Sequence, residues 1–214
     1  MLRGNRGFTM VELLVVTGII ACLTIIGFPV IKQSMSVAQT AKCAGNMRQL
    51  GLAVLTYAAE HGMVLPVTAH QPGGQSWTRT LQPYASGTVT FKCPVDENKK
   101  RERTYVMNDF LTPNPCGAPF LNLSSLLSTE RHRDTILYFE SVASSNNPDD
   151  HFHFSDYYMQ EIPPAEFSTM VAVQRHSGKA NYLFVDGHVE TLAWSQVQKL
   201  LSQQGGRLVD PTRR

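Results

Sequence analysis

The chain has 214 residues, 43% of them hydrophobic and 17% charged, with a formal net charge of +2. That length suffices for one anchor and one head domain with its own core. Arg3 and Arg6 supply the whole positive excess; without them basic and acidic residues balance at 17 each, so charge gives no case for nucleic-acid binding.

Residues 1–7 read as a short, polar, basic leader, unlike the front of an ordinary secretory signal. From Phe8 the sequence is apolar to about Ile31, interrupted by one acid, Glu12. As a helix, Val11 to Ile31 spans about 30 Å, one bilayer core, so residues 8–31 are predicted to cross a membrane. Arg3 and Arg6 ahead of it predict a cytoplasmic N-terminus and a head outside. A carboxylate in such a segment is costly and marks a functional position. Pro29 lies near the outer end, where a kink is tolerated.

Gly7-Phe8-Thr9-Met10-Val11-Glu12-Leu13 resembles the class III leader junction of type IV prepilins and type II secretion pseudopilins. The likeness lies in the short basic leader, the glycine before the cut, the phenylalanine after it and the glutamate four residues on; Pro29 also falls where such proteins often have proline. The resemblance implies a membrane aspartyl peptidase, the prepilin peptidase, that cuts between Gly7 and Phe8 and methylates the Phe8 amine. It also implies that Glu12 pairs with the Phe8 amine of a neighbouring subunit. The α-amine is largely cationic at neutral pH, and such a pair would offset the cost of the carboxylate and set axial register. The null alternative is a plain signal anchor whose Glu12 reaches the membrane interface.

Residues 32–61 are predicted to continue the helix as an amphipathic, soluble half. Val37, Ala41, Ala44, Met47, Leu50, Val54 and Tyr57 recur at spacings of three and four, and His61-Gly62 followed by Pro66 ends the pattern. Cys22 lies in the apolar run. Cys43, Cys93 and Cys116 remain, an odd number that would allow one disulfide in an oxidising compartment; no C-x-x-C motif occurs. Cys43-Ala44-Gly45-Asn46-Met47-Arg48-Gln49-Leu50-Gly51-Leu52-Ala53, then Cys93-Pro94-Val95-Asp96, then His176 ten residues before Asp186-Gly187, resembles the three blocks of a bacterial subgroup of prepilin-like proteins, with Met47 in place of the usual leucine. Residues 100–165 carry little of this likeness. Because both cysteines belong to the recurring blocks, the resemblance favours a Cys43–Cys93 disulfide, with Cys93–Cys116 as the alternative. It assigns no role to His176, Asp186 or Gly187.

Residues 62–204 read as a globular head. Trp77, Leu81 and Tyr84 are candidate core anchors, Thr88 to Lys92 a strand, the basic run Asn98 to Arg103 a solvated loop, and Thr104 to Asn108 and Thr135 to Glu140 further strands. Asn122 to Leu127 suggests a turn of helix. In the Asp149 to Asp156 patch, His151, His153 and Asp156 are the weak candidates for a metal, but their spacing fits neither an EF-hand nor H-E-x-x-H. Some pseudopilins bind calcium in a head loop, yet no stretch here matches such a loop residue by residue, so no cofactor is expected. Ala180 to Leu192 reads as a hairpin about Asp186-Gly187, with a two-residue type I′ turn pairing Phe184 with Val189. Ser195 is expected to cap a last helix, and residues 205–214 to form a flexible tail. His176 and Asp186 invite a catalytic reading, but no nucleophile motif accompanies them, and His176 is expected to bond backbone at a strand entrance.

The fold class that results is α+β, a long N-terminal helix packed on an antiparallel sheet. The function that results is a pilin-like structural subunit, not an enzyme. Its expected partners are the prepilin peptidase, other pilin or pseudopilin subunits and an inner-membrane assembly platform, and its expected place is the cytoplasmic membrane, crossed once. A membrane-anchored extracytoplasmic binding module and a metal-dependent enzyme about His151, His153 and Asp156 are the competing readings.

Overall fold

The computed structural model describes residues 8–69, 75–85, 90–112, 122–128, 133–143, 150–158, 160–203 and 205–213. The chain divides into two units at Ala38/Gln39. Helix α1, Met10–Glu60, contributes to both.

In the first unit α1 is apolar all round, and its side chains are exposed, Leu14 by 73% and Ile25 by 75%. Among the described residues it is the one helix long and apolar enough to cross a membrane. Its hydroxyls are satisfied within the helix, as a lipid environment requires: Thr17 Oγ1 donates to Leu13 O at 3.0 Å and Thr24 Oγ1 to Ile20 O at 2.7 Å. Pro29 lies inside the helix, and the Lys32 ammonium sits 4.8 Å from the Phe28 ring centroid.

In the second unit, the part of α1 from Gln39 buries Cys43, Met47, Leu50, Gly51, Val54 and Ala58, the three-and-four spacing of a single face. The helix stops before Gly62 and Met63, both at positive φ, with Met63 N donating to Ala58 O at 2.7 Å. This face lies on a five-stranded sheet of β1 (Tyr105–Asn108), β2 (Ile136–Glu140), β3 (His151–Phe152), β4 (Lys179–Phe184) and β5 (Val189–Ala193), in the order β3-β1-β2-β4-β5. The α+β class stands. The sheet is mixed rather than antiparallel, because β3 runs parallel to β1.

Both faces of the sheet are buried. Tyr105, Met107, Leu137, Tyr138, Leu183 and Val185 form one core with α1. Val106, Phe139, Phe152, Phe154, Tyr182 and Phe184 form the other, closed by α4 (Pro164–Met170) and α5 (Trp194–Leu201). The short helices α2 (Trp77–Thr80) and α3 (Leu123–Leu127) complete the unit; Trp77 and Leu81 are core residues as expected, while Tyr84 is half-buried and donates to Glu60 Oε2 at 2.7 Å. A register irregularity between Ile136 and Tyr138 puts Leu137 and Tyr138 both toward α1, and Glu140 follows Tyr138 onto that face.

Several details differ from the sequence reading. Thr90 to Lys92 form no strand, and residues 86–89 lie outside the described ones. Helix α5 begins after Ala193, whose N–H donates to Gln196 Oε1 at 2.9 Å, so Ser195 is inside the helix instead of capping it. The expected tail is packed: Leu208, Val209 and Asp210 are buried, Ile136 N donates to Leu208 O at 2.8 Å, and Asn108 Nδ2 donates to Val209 O at 2.8 Å. The backbone of 207–209 thus satisfies groups on β1 and β2, which holds it in place.

The β4–β5 hairpin pairs Leu183 with Val189 and Tyr182 with Glu190, one residue from the expected register. Asp186 is not at positive φ, which excludes type I′; Gly187 N donates to Phe184 O at 2.9 Å, and Gly187 alone carries the positive φ of +88°. The Asp186 carboxylate accepts from His188 N at 3.1 Å, which supports the longer turn. A Cβ on Gly187 would stand 2.9 Å from Leu55 Cδ1 of α1, a side-chain end that can shift, so it is the positive φ that favours glycine here. Gly187→Ala is expected to lower the unfolding free energy by about 1–3 kcal/mol, measured by denaturant titration of the full chain.

Candidate functional site

Two places in the chain carry unusual chemistry. The first is the start of α1, where Thr9 and Glu12 bond reciprocally. Thr9 N and Thr9 Oγ1 donate to Glu12 Oε2 at 2.9 and 2.8 Å, and Glu12 N donates to Thr9 Oγ1 at 3.2 Å. This is a capping box, and it places the carboxylate at the positive end of the helix dipole. The Thr-x-x-Glu spacing was present in the sequence and overlooked there. Gly7 lies outside the described residues; Phe8 is exposed.

The second is inside the head. Cys43 on α1, Cys93 in the loop before β1, Glu140 at the end of β2 and His176 in the turn before β4 offer ligand atoms that all lie within 4.8 Å of one another. All four residues are buried. Cys43 Sγ donates to Glu140 Oε1 at 3.0 Å, His176 Nε2 lies 2.9 Å from the same oxygen, and Cys93 Sγ lies 3.7 Å from His176 Nε2. The other Glu140 oxygen, Oε2, accepts from Arg175 Nη1 at 3.0 Å. The Tyr105 hydroxyl stands 3.1 Å from Cys43 Sγ.

The blocks noted in the sequence meet here. Cys43 and Asn46 lie on one helix face, and Asn46 Nδ2 donates to Lys92 O at 3.3 Å, which fixes the loop that presents Cys93. Cys93 N donates to Thr104 Oγ1 at 3.1 Å, and the Thr104 hydroxyl in turn donates to Asp96 Oδ2. Asp96 also holds Arg101 Nε, and Arg101 Nη1 reaches Val142 O at 2.7 Å. The Asn98 to Arg103 run is therefore not simply solvated; Arg101 turns inward. Glu140 was missed in the sequence, where it read as the polar end of a strand.

Electrostatics follow from this packing. Burial pushes the Glu140 carboxyl up, but His176, Arg175 and Cys43 outweigh it and hold Glu140 below the usual carboxylate range. The bond from Cys43 draws the Cys93 thiol down to about 6 against the effect of burial, with His176 assisting. The bond to Cys93 and burial push the Cys43 thiol up. Burial opposes the cationic imidazole, yet Cys93 and Glu140 raise His176 to about 9.

The two cysteines of the expected Cys43–Cys93 pair are neighbours and stand unbonded in the structure, Cys43 also touching Glu140 and Cys93 also touching His176. Cys116 lies outside the described residues. His176 bonds backbone as expected, through its own N–H to Lys179 O at 2.8 Å, but its side chain serves Glu140 and Cys93. Asp186 and Gly187 are not part of this cluster; they build the hairpin turn.

The family model for the prokaryotic N-terminal methylation motif matches residues 2–28. The chain carries the hallmark segment of type IV prepilin and pseudopilin-like proteins. This prepilin-type motif implies processing by a prepilin peptidase and assembly with other pilins, and the family is structural in character. The single long apolar helix fits a single-pass membrane anchor. No curated protein and no solved structure matches the chain significantly.

The structure does not gather the ligand atoms of His151, His153 and Asp156. The two imidazoles stack edge to face at 4.7 Å, while the neighbouring carboxylates are engaged elsewhere. Asp109 accepts from Ser155 N at 2.9 Å, and its burial raises its pKa despite that bond. Asp150 caps α2: its carboxylate accepts from Ser76 Oγ at 2.5 Å, Trp77 N at 3.2 Å and Ala69 N at 3.2 Å, and stands 3.0 Å from His151 Nδ1. Burial works against the Asp150 anion, but His151, Ser76 and Ala69 prevail and hold its pKa below the ordinary value. A depressed carboxylate pKa contributes stability above the unfolded value, about 3.9, and that stability is lost as pH falls through the folded value. The stability gap between wild type and Asp150→Asn is therefore expected to be full at pH 6 and to shrink below about pH 4, read from denaturation midpoints across that range.

Proposed function

We propose that this chain is a pilin-like structural subunit. It is cut between Gly7 and Phe8 by prepilin peptidase, methylated at the Phe8 amine, and assembled with other pilin or pseudopilin subunits into a type II secretion pseudopilus or type IV pilus-like filament. The anchor crosses the cytoplasmic membrane once, with the N-terminus inside and the head outside, and an inner-membrane assembly platform draws the subunit out. Its work is packing and register; no catalytic step is assigned to it.

One observation carries the reading: the methylation motif over residues 2–28 coincides with the exposed apolar segment of α1, residues 10–31, whose single acid, Glu12, lies in the first turn. An apolar face of that size demands lipid before assembly and neighbouring helices after it. The capping box accounts for part of the cost of the acid within the chain. Both bonds from Thr9 fall on Glu12 Oε2, and on this reading the carboxylate keeps its charge for the Phe8 amine of the next subunit.

Co-expressed with a prepilin peptidase, the chain is expected to yield an intact mass that begins at Phe8 with one added methyl group; a chain still beginning at Met1 would remove the reading. Glu12→Gln separates the two roles of the acid, because glutamine retains the reciprocal capping bond and drops the charge. Both Glu12→Gln and Glu12→Val are expected to insert into the membrane and to be missing from sheared filaments. Wild-type incorporation of Glu12→Gln would leave Glu12 as a helix cap only.

A further inference from the structure

The cluster in the head has the composition and spacing of a metal site that the filament role does not use. Two thiol sulfurs, an imidazole nitrogen and a carboxylate oxygen point into one interior volume from four separate stretches. Their closest contacts run from 2.9 to 3.7 Å, and no pair exceeds 4.8 Å. Around a tetrahedral ion with bonds of about 2.0–2.3 Å, ligand atoms stand roughly 3.3–3.8 Å apart, so small side-chain shifts suffice to reach that geometry. Sulfur and imidazole together select a transition metal and exclude calcium or magnesium, which take oxygen ligands.

The surroundings are those of a coordinating shell. Arg175 holds the Glu140 oxygen that faces away from Cys43 and His176, and the Tyr105 hydroxyl lies against Cys43 Sγ. Outer partners of this kind orient ligands and stabilise thiolates. Charge also balances. Two thiolates and a carboxylate are met by a divalent ion and the Arg175 guanidinium, whose side chain is only 7% exposed. A Cys43–Cys93 disulfide would use two of the four groups and leave a buried carboxylate and imidazole facing it without purpose.

We propose that Cys43, Cys93, Glu140 and His176 form a closed, structural zinc site that ties α1, the loop before β1, the end of β2 and the turn before β4 to one another. Zinc gains two bonds from sulfur, one from nitrogen and one from oxygen. The protons still carried by the thiols and by Nε2 leave to solvent, and no electron is transferred. With four protein ligands there is no open position for a substrate, so the site stabilises the head and does not catalyse. This goes beyond the filament reading and is independent of it.

The test uses the full chain, purified in detergent without chelator or reductant. About one zinc per chain is expected by elemental analysis. Stripping it should lower the melting temperature, zinc should restore it, and calcium or magnesium should not. Cobalt in its place should give a thiolate charge-transfer band. Cys93→Ser should weaken zinc binding at least about a hundredfold, since even outer-shell substitutions cost roughly ten- to a hundredfold, while Cys22→Ser should leave it unchanged. Wild-type chain that holds no zinc and melts alike with and without added zinc would overturn the proposal. So would a peptide map showing Cys43 bonded to Cys93, or a zinc affinity of Cys93→Ser equal to that of the wild type. If Cys93→Ser does not fold, the strip-and-restore melts of the wild type decide the matter alone.

Discussion

The head is organised around one buried carboxylate. Glu140 has no exposure, and an anion in that position is tolerated only if paired and hydrogen-bonded. Its partners come from far along the chain: Cys43 lies 97 residues away, His176 36 and Arg175 35. Arg175 and His176 are its cationic partners, and losing both would strand a charge in the interior. The helix, the sheet and the turn before β4 therefore have to arrive together. Such an arrangement is weak evidence for high stability and better evidence for a single permitted packing.

Strand parity makes this arrangement possible. Without the irregularity between Ile136 and Tyr138, Glu140 would face the aromatic layer of Phe152 and Phe154 in place of α1. On the helix side, close approach is secured by small residues. A Cβ on Gly51 would stand 2.8 Å from Leu183 Cδ1, and Gly187 meets Leu55 in the same manner. The two glycines flank the contact between α1 and the hairpin, and this accounts for Asp186-Gly187 without a chemical role. Its partner in the sequence pattern, His176, belongs to the Glu140 cluster instead.

What could be read from the sequence follows the range of each interaction. The anchor and its acid were legible because a bilayer imposes a local constraint on consecutive residues, and Glu12 stood out against it. Of the helical face read from spacing, Ala44, Met47, Leu50 and Val54 are buried while Val37 and Ala41 are exposed, and Trp77 and Leu81 were legible from their bulk. Cys43 and Cys93 were paired on the resemblance alone, but the arrival of His176 and Glu140 beside them is a product of topology that spacing does not encode. Glu140 gave no signal, because it closes a strand whose alternation the irregularity conceals. The His151 patch, dense in titratable residues, resolves into separate local roles: Asp150 caps α2, and Ser155 bonds Asp109 from far along the chain. The C-terminal segment read as loose because its anchoring uses backbone carbonyls, which leave no trace in side-chain pattern.

Glu12 and Glu140 pose the same electrostatic problem and resolve it at different ranges. Glu140 is met by partners from its own chain on both oxygens, so its charge is consumed in folding one head. Glu12 is met by Thr9, a neutral partner that offers hydrogen bonds and no opposite charge. A neutral cap orders the carboxylate without cancelling it. In a low-dielectric setting the uncancelled charge retains its attraction for a cation, and the Phe8 amine of another subunit is the cation that the proposed processing would create. The fold neutralises one acid within the subunit and only orients the other, and it is the second that the proposed assembly would use.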